Sequence, residues 1–114
     1  MVAPSIGEVI MVSFPFSDLS QSKVRPAVCL ANVGRSDWIL CQITSSGYGD
    51  PKAIPLNALD FSTGCLLVSS LARPGKLFTA SESLMVRSVG KLNETAFKRV
   101  LDAVVALLQP PAVP

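Results

Sequence analysis

Residues 7–30 read GEVIMVSFPFSDLSQSKVRPAVCL. Val9, Ile10, Met11, Val12 and Phe14 are β-branched, large and apolar, which suits a pleated ladder better than a helix. Apolar residues fall on both faces of this run, so it reads as a central strand covered on both sides. Ala27 to Ala31 has the same character. Pro15 closes the first strand, because it has no N–H to give to a ladder. Between the two runs, Ser17 to Lys23 offers hydroxyls, carboxylate, amide and amine, too polar for a core and longer than a tight hairpin needs. The stretch is therefore strand, polar loop, strand. Pro26 holds the preceding residue in extended conformations, so Arg25 stands on a stiff element at the loop end of the second strand.

The rest of the chain extends this pattern. Asn32 to Ser36 is predicted to turn, with Gly34 able to take positive φ. Asp37 to Thr44, DWILCQIT, is a third strand with Gln42 and Thr44 sharing one face at its far end. Ser45 to Pro51 is a loop. Ala53 to Asn57 is a short strand that Pro55 confines to an edge or a bulge. Asp60 to Gly64 turns, and Cys65 to Leu71 is predicted as a strand. Ala72-Arg73-Pro74-Gly75-Lys76 repeats the Arg-Pro pair and adds a Pro-Gly turn before a short strand, Leu77 to Ala80. Ser81 to Ser83 turns again, and Leu84 to Leu92 carries a last extended piece. Asn93 is a good N-cap with Glu94 in the first turn. Phe97, Val100, Leu101, Val104, Leu107 and Leu108 then recur at helical spacing as far as Gln109, where Pro110-Pro111 stops the helix. The sum is five to seven short strands in a small, strongly curved antiparallel sheet or open barrel, with one C-terminal helix on it.

Composition limits the function. The 114 residues fit a single domain spanning 1–114. No apolar run approaches the roughly 18 residues of a membrane span, and the N-terminus is not patterned as a signal peptide, so a cytoplasmic protein is expected. Hydrophobic residues make up 49% of the chain, which predicts an apolar surface hidden in an oligomer. The net charge of +2 means that any nucleic-acid site must be local, with Arg25, Arg73, Lys76 and Arg87 as contributors. There is no histidine, which excludes a Ser-His-Asp triad, a Cys-His dyad and histidine-based zinc sites. Cys29, Cys41 and Cys65 have no metal-like spacing and read as small buried hydrophobes in a reducing compartment. No metal and no cofactor is expected.

Four segments, GEVIMVSFPFSDLSQSKVRPAVCL, CQITSS, SSLARPGKLFTAS and SVGKLNE, occur in an order that resembles the PemK/MazF family of toxin–antitoxin endoribonucleases. The resemblance spans nearly the whole chain. It implies an SH3-like barrel with a C-terminal helix, a twofold homodimer, a cognate antitoxin as partner, and contact with DNA only through the antitoxin complex. It also implies metal-free cleavage of single-stranded RNA, an mRNA interferase activity. The family's catalytic arginine falls on Arg25 and its threonine on Thr44, with Ser45 next to it. Arg73 falls where members present a basic residue near RNA, with Lys76 as a further RNA-binding candidate, and Phe16 is a candidate to stack on a base, with a core position as its plainer reading. Trp38 is a second stacking candidate, with a core position as its plainer reading. Some relatives carry a histidine just before the Arg-Pro pair, where this chain has Val24. That departure leaves the proton acceptor unassigned, with Asp18 and Glu8 as the nearby carboxylates. The alternative from another class is a non-catalytic nucleic-acid-binding or topoisomerase-inhibiting protein on the same scaffold.

Overall fold

The computed structural model describes residues 3–15, 22–45 and 49–112. Seven strands form one sheet: β1 (Glu8–Pro15), β2 (Ser22–Gly34), β3 (Asp37–Thr44), β4 (Ile54–Leu56), β5 (Phe61–Gly64), β6 (Ser70–Ser81) and β7 (Met85–Leu92), followed by the helix α1 (Glu94–Leu108). Their order across the sheet is β4-β6-β3-β2-β1-β7-β5, and all the described pairings are antiparallel. β6 and β7 are consecutive in the chain and joined only by a 3-10 turn, Glu82–Leu84, although three strands lie between them in the sheet. So short a connection requires the sheet to curl until its two halves nearly meet. The expected curved, barrel-like antiparallel sheet with one C-terminal helix is the observed fold.

The curl gives the sheet two covered faces. Ile10, Val12, Ala27, Cys29, Trp38, Leu40, Ala80 and Met85 pack together in the hollow of the curl. Val9, Val28, Cys41, Ile43, Leu56 and Ala72 face the other way and are covered by Ala96, Val100 and Val104 of α1. This is why the apolar residues of β1 and β2 do not alternate with polar ones: each face has its own cover. Val100 is fully buried, and such burial contributes about 1.5–3 kcal/mol per side chain. Asn93 caps the helix by accepting the N–H of Ala96 at 2.8 Å, as its position predicts. Its own amide donates to the carbonyl of Leu59 at 3.0 Å, tying the helix start to the turn before β5. Trp38 lies in the hollow, 4% exposed, and its Nε1–H donates to Glu82 Oε2 at 2.9 Å. It is a core residue at the closing corner, and no stacking partner for a base.

Four expected elements differ. Asp60 to Gly64, expected to turn, contains the strand β5 at Phe61–Gly64, which pairs with β7. The segment Cys65 to Leu71 is not a strand: β5 occupies residues 61–64, residues 65–69 are irregular, and β6 begins at Ser70. Only Leu66 of that apolar run packs on the core, while Leu67 is 99% exposed. The chain leaves the sheet after Gly64, whose backbone approaches Gly90 so closely that a Cβ on Gly64 would sit 2.1 Å from the Val89 carbonyl oxygen. The Arg73–Lys76 segment does not end a strand either. Ala72 pairs with Ile43 and Leu77 with Cys41, so four residues of β6 oppose Gln42 in a large bulge within one long strand. Pro74 sits in that bulge, fully buried, where its missing N–H costs no ladder bond. Finally, the loop predicted up to Lys23 is shorter, because β2 already starts at Ser22 and runs to Gly34.

The β2–β3 hairpin turns on Arg35 and Ser36, both with positive φ (55° and 65°). Non-glycine residues there cost about 1–2 kcal/mol each. Ser36→Gly is expected to stabilise the protein by about 0.5–1 kcal/mol, the relieved strain less the added unfolded-chain entropy. Urea denaturation should show a higher midpoint at an unchanged slope; a lower midpoint would count against this account of the turn.

Candidate functional site

Arg25 and Thr44 are brought together by the β2–β3 ladder. The ladder ends at the pair Ala27 and Gln42. Arg25 lies two residues before Ala27 and Thr44 two beyond Gln42, so period-two pleating makes them the next like-facing pair. β7 arrives from the other side of β1. Met11 is paired with Pro26 on one side and with Arg87 on the other, which sets Arg87 across β1 from the Arg25-Pro26 step. A cavity of about 260 Å3 opens here, bordered by Arg25, Thr44, Ser45 and Arg87. The irregular run Leu66-Leu67-Val68 forms its apolar wall and separates it from a second hollow of about 200 Å3 beside Asn57 and Ser69.

Two cations border this cavity, Arg25 and Arg87. Lys98 is bonded to Asp102, Arg99 to Asp60 and Arg73 to Asp50. Arg25 and Arg87 are exposed, and neither has a hydrogen-bond or ion-pair partner among the described residues. The described residues bordering the cavity include no carboxylate. Two guanidinium groups thus border a concave surface with hydroxyls beside them and no carboxylate among its described lining residues, an arrangement whose chemistry suits an anion.

Other predicted residues fall elsewhere. Phe16 and Asp18 lie outside the described residues. Ser45 is exposed on the rim beside Thr44. Arg73 does not border the cavity; its Nε–H donates to Asp50 Oδ2 at 3.0 Å. Lys76 is exposed on the β6 bulge, also outside the cavity lining. Glu8 accepts the backbone N–H of Ser5 at 2.9 Å, at the opposite end of β1 from the residues paired with Arg25 and Lys23. It is therefore not a base for this site. Cys29 and Cys41 are buried as expected, and burial pushes both thiols up to about 12. Cys65 is exposed on the cavity rim instead. Sequence reasoning ranked Arg87 below Arg73. The signal was the period of two in MVRSVGKL, which puts Arg87 on one face with Val89, and both border the cavity.

No group of three or more His, Cys, Asp or Glu side chains that could hold a metal ion occurs among the described residues. No helix among them is long and apolar enough to cross a membrane.

Comparison with known proteins places this architecture. The fold matches MazE-MazF from Deinococcus radiodurans with a TM-score of 0.78 at 20% identity, covering 97% of this chain and 100% of that one. An endoribonuclease in complex with its cognate antitoxin from a mycobacterial species matches with a TM-score of 0.72 at 14% identity, covering 99% and 100%. MazF alone from Deinococcus radiodurans gives 0.75 at 21% identity, with 95% and 98% covered. At these identities the likeness establishes the fold. No curated protein matches the chain. Residues 5–108 match the family described as PemK-like, MazF-like toxin of type II toxin-antitoxin system. With a match over nearly its whole length, a curled antiparallel sheet and a C-terminal helix, the chain belongs to this toxin family.

Proposed function

We propose that this toxin is a metal-independent endoribonuclease that cleaves single-stranded RNA by attack of a 2′-hydroxyl on the adjacent phosphorus, which breaks the bond to the 5′-oxygen and releases it as a 5′-hydroxyl that takes up a proton, while the attacking 2′-hydroxyl loses its own. The observation that carries this reading is the cavity bordered by Arg25, Thr44, Ser45 and Arg87, with no carboxylate among its described lining residues. The nucleophile and the scissile phosphate belong to the same substrate, so the protein's main tasks are orientation and charge stabilisation. Arg25 forks two hydrogen bonds onto the non-bridging oxygens as charge accumulates in the transition state. Thr44 gives a hydroxyl to the same phosphate or to the attacking group, and Ser45 contacts the backbone next to it. Arg87 holds a neighbouring phosphate. The apolar wall at Leu66–Val68 offers a dry surface to a base. The reaction takes place in the cytoplasm, where the RNA is.

The same features suit an antitoxin. An acidic and apolar segment of a cognate partner would neutralise Arg25 and Arg87 and cover Leu67 and Val68, which are 99% and 61% exposed. Relatives of the same fold are described in complex with cognate antitoxins. We also propose that the toxin is a homodimer, on the strength of its apolar excess and of exposed Leu59, Leu67 and Val68.

Incubation with single-stranded RNA in EDTA is expected to yield fragments ending in a 2′,3′-cyclic phosphate or its 3′-phosphate product. A substrate with 2′-deoxyribose at the scissile nucleotide should stay intact. A strict need for Mg²⁺, or cleavage of the deoxy substrate, overturns the mechanism, and binding without cleavage favours the non-catalytic alternative. Arg25→Ala should lower the single-turnover rate about 10²–10³-fold, the usual loss when one charge-stabilising donor is removed. Arg87→Ala should instead weaken RNA binding and flatten log K against log salt by about 0.7, the slope that one neutralised phosphate carries on a single strand. Thr44→Val keeps the branched shape and removes the hydroxyl, so a rate loss there isolates hydrogen bonding from packing. Light scattering should give twice the chain mass at tens of micromolar, and a monomer at that concentration would refute the dimer.

A further inference from the structure

The connection from β3 to β4 crosses β6. Ile43 of β3 and Ile54 of β4 pair with the same residue, Ala72, from its two sides. The connection between them, of which residues 45 and 49–53 are described, therefore leads from one side of β6 to the other. It begins at Ser45, on the rim of the cavity, immediately after Thr44.

Asp50 fastens this crossover. Its Oδ1 accepts the N–H of Lys52 at 2.9 Å, and its carbonyl accepts the N–H of Ala53 at 3.3 Å, so Asp50 organises the turn into β4. Its other carboxylate oxygen accepts Arg73 Nε–H at 3.0 Å. Both side chains are mostly buried, 15% exposed for Asp50 and 22% for Arg73. The bond to Lys52 N–H and the guanidinium of Arg73 hold the Asp50 carboxyl below the ordinary carboxylate range, so the pair stays ionised at neutral pH.

Arg73 is a stiff anchor for its part. It follows Ala72, which is fully buried, and precedes Pro74, also fully buried. Its carbonyl accepts the Cys41 thiol at 3.2 Å. It opens the bulge opposite Gln42, and a bulge re-aims the side chains it carries. The family position of Arg73 suggests an RNA contact, but its guanidinium is already engaged by a carboxylate and lies outside the cavity lining.

We propose that Arg73 and Asp50 form a clamp that holds residues 49–53 against the β6 bulge and so positions Thr44, which pairs with Leu71 two residues before Arg73. Both are positioning residues, and neither touches RNA. This rests on the reading of the cavity as the RNA site. The tests are Arg73→Ala, Asp50→Ala, the double variant and the swap Arg73→Asp with Asp50→Arg. They are compared with the parent by single-turnover cleavage, RNA binding and amide hydrogen exchange. Each single variant is expected to lose roughly 3–30-fold in rate at saturating RNA, within what a small misplacement of reacting groups can cost. The double variant should lose no more than either single one, because the two residues act through one bond. The swap should recover part of the loss, and exchange at residues 49–53 should rise alike in both single variants. An RNA contact would show the opposite: Arg73→Ala weakens binding with the rate intact, while Asp50→Ala leaves binding unchanged or tightens it. That pattern, or additive losses, overturns the clamp. If the parent protein does not cleave RNA, the function proposed above fails first. The clamp is then judged on exchange at residues 49–53, which unchanged protection in the variants overturns. Should Arg73→Ala fail to fold, Arg73→Gln and Asp50→Asn keep the side-chain volume and carry the same comparison.

Discussion

The closure between β6 and β7 governs the rest of the molecule. Only Glu82, Ser83 and Leu84 separate these strands, yet β3, β2 and β1 intervene in the sheet. A flat sheet would hold strands four places apart nearly 20 Å from one another at the usual inter-strand spacing. The turn is satisfied only by strong curvature, and the corner is fastened twice: Glu82 N–H donates to the Ser36 carbonyl at 2.8 Å, and the Glu82 carboxylate accepts from Trp38. Trp38 is the second residue of β3 and Thr44 its last, so one strand links the closing corner to the cavity rim. The rim of the cavity is thereby held by the same strand that shapes the hollow core.

Charge is distributed with comparable economy. A net charge of +2 on 114 residues attracts no polyanion by itself. What matters is which cations are compensated. Lys98, Arg99 and Arg73 are held by carboxylates, whereas Arg25 and Arg87 meet none among the described residues. At the cavity, two cations without a carboxylate partner thus stand on the two strands flanking β1, beside hydroxyls and an apolar wall.

Much of this was legible in the sequence, and the failures have physical causes. DWILCQIT matched β3 residue for residue, because its branched and aromatic residues lie between clear turns. The helix was fixed at both ends by Asn93 and by Pro110. The pairing of Arg25 with Thr44 followed from two strand ends and a family order. Cys65–Leu71 misled because apolar composition is not burial: Leu67 and Val68 are exposed, and the β5–β7 ladder ends at the Gly64–Gly90 pair. Arg73 was ranked by its neighbour Pro74, while its actual partner Asp50 sits 23 positions away in a loop. Local sequence carries strand edges and caps well. It does not carry which carboxylate a given arginine will meet.

The meeting of Gly64 and Gly90 also bears on which side chains the sheet can take. A Cβ on Gly64 would lie 2.1 Å from the Val89 carbonyl oxygen, and one on Gly90 would lie 2.3 Å from that of Thr63. In both cases the obstacle is backbone, which no change of neighbouring side chain can remove. Neither position can take a side chain without moving the opposing strand, so two glycines together hold β5 and β7 at this rung of the ladder. Leu67 and Val68 nearby project into open space and meet no such backbone limit.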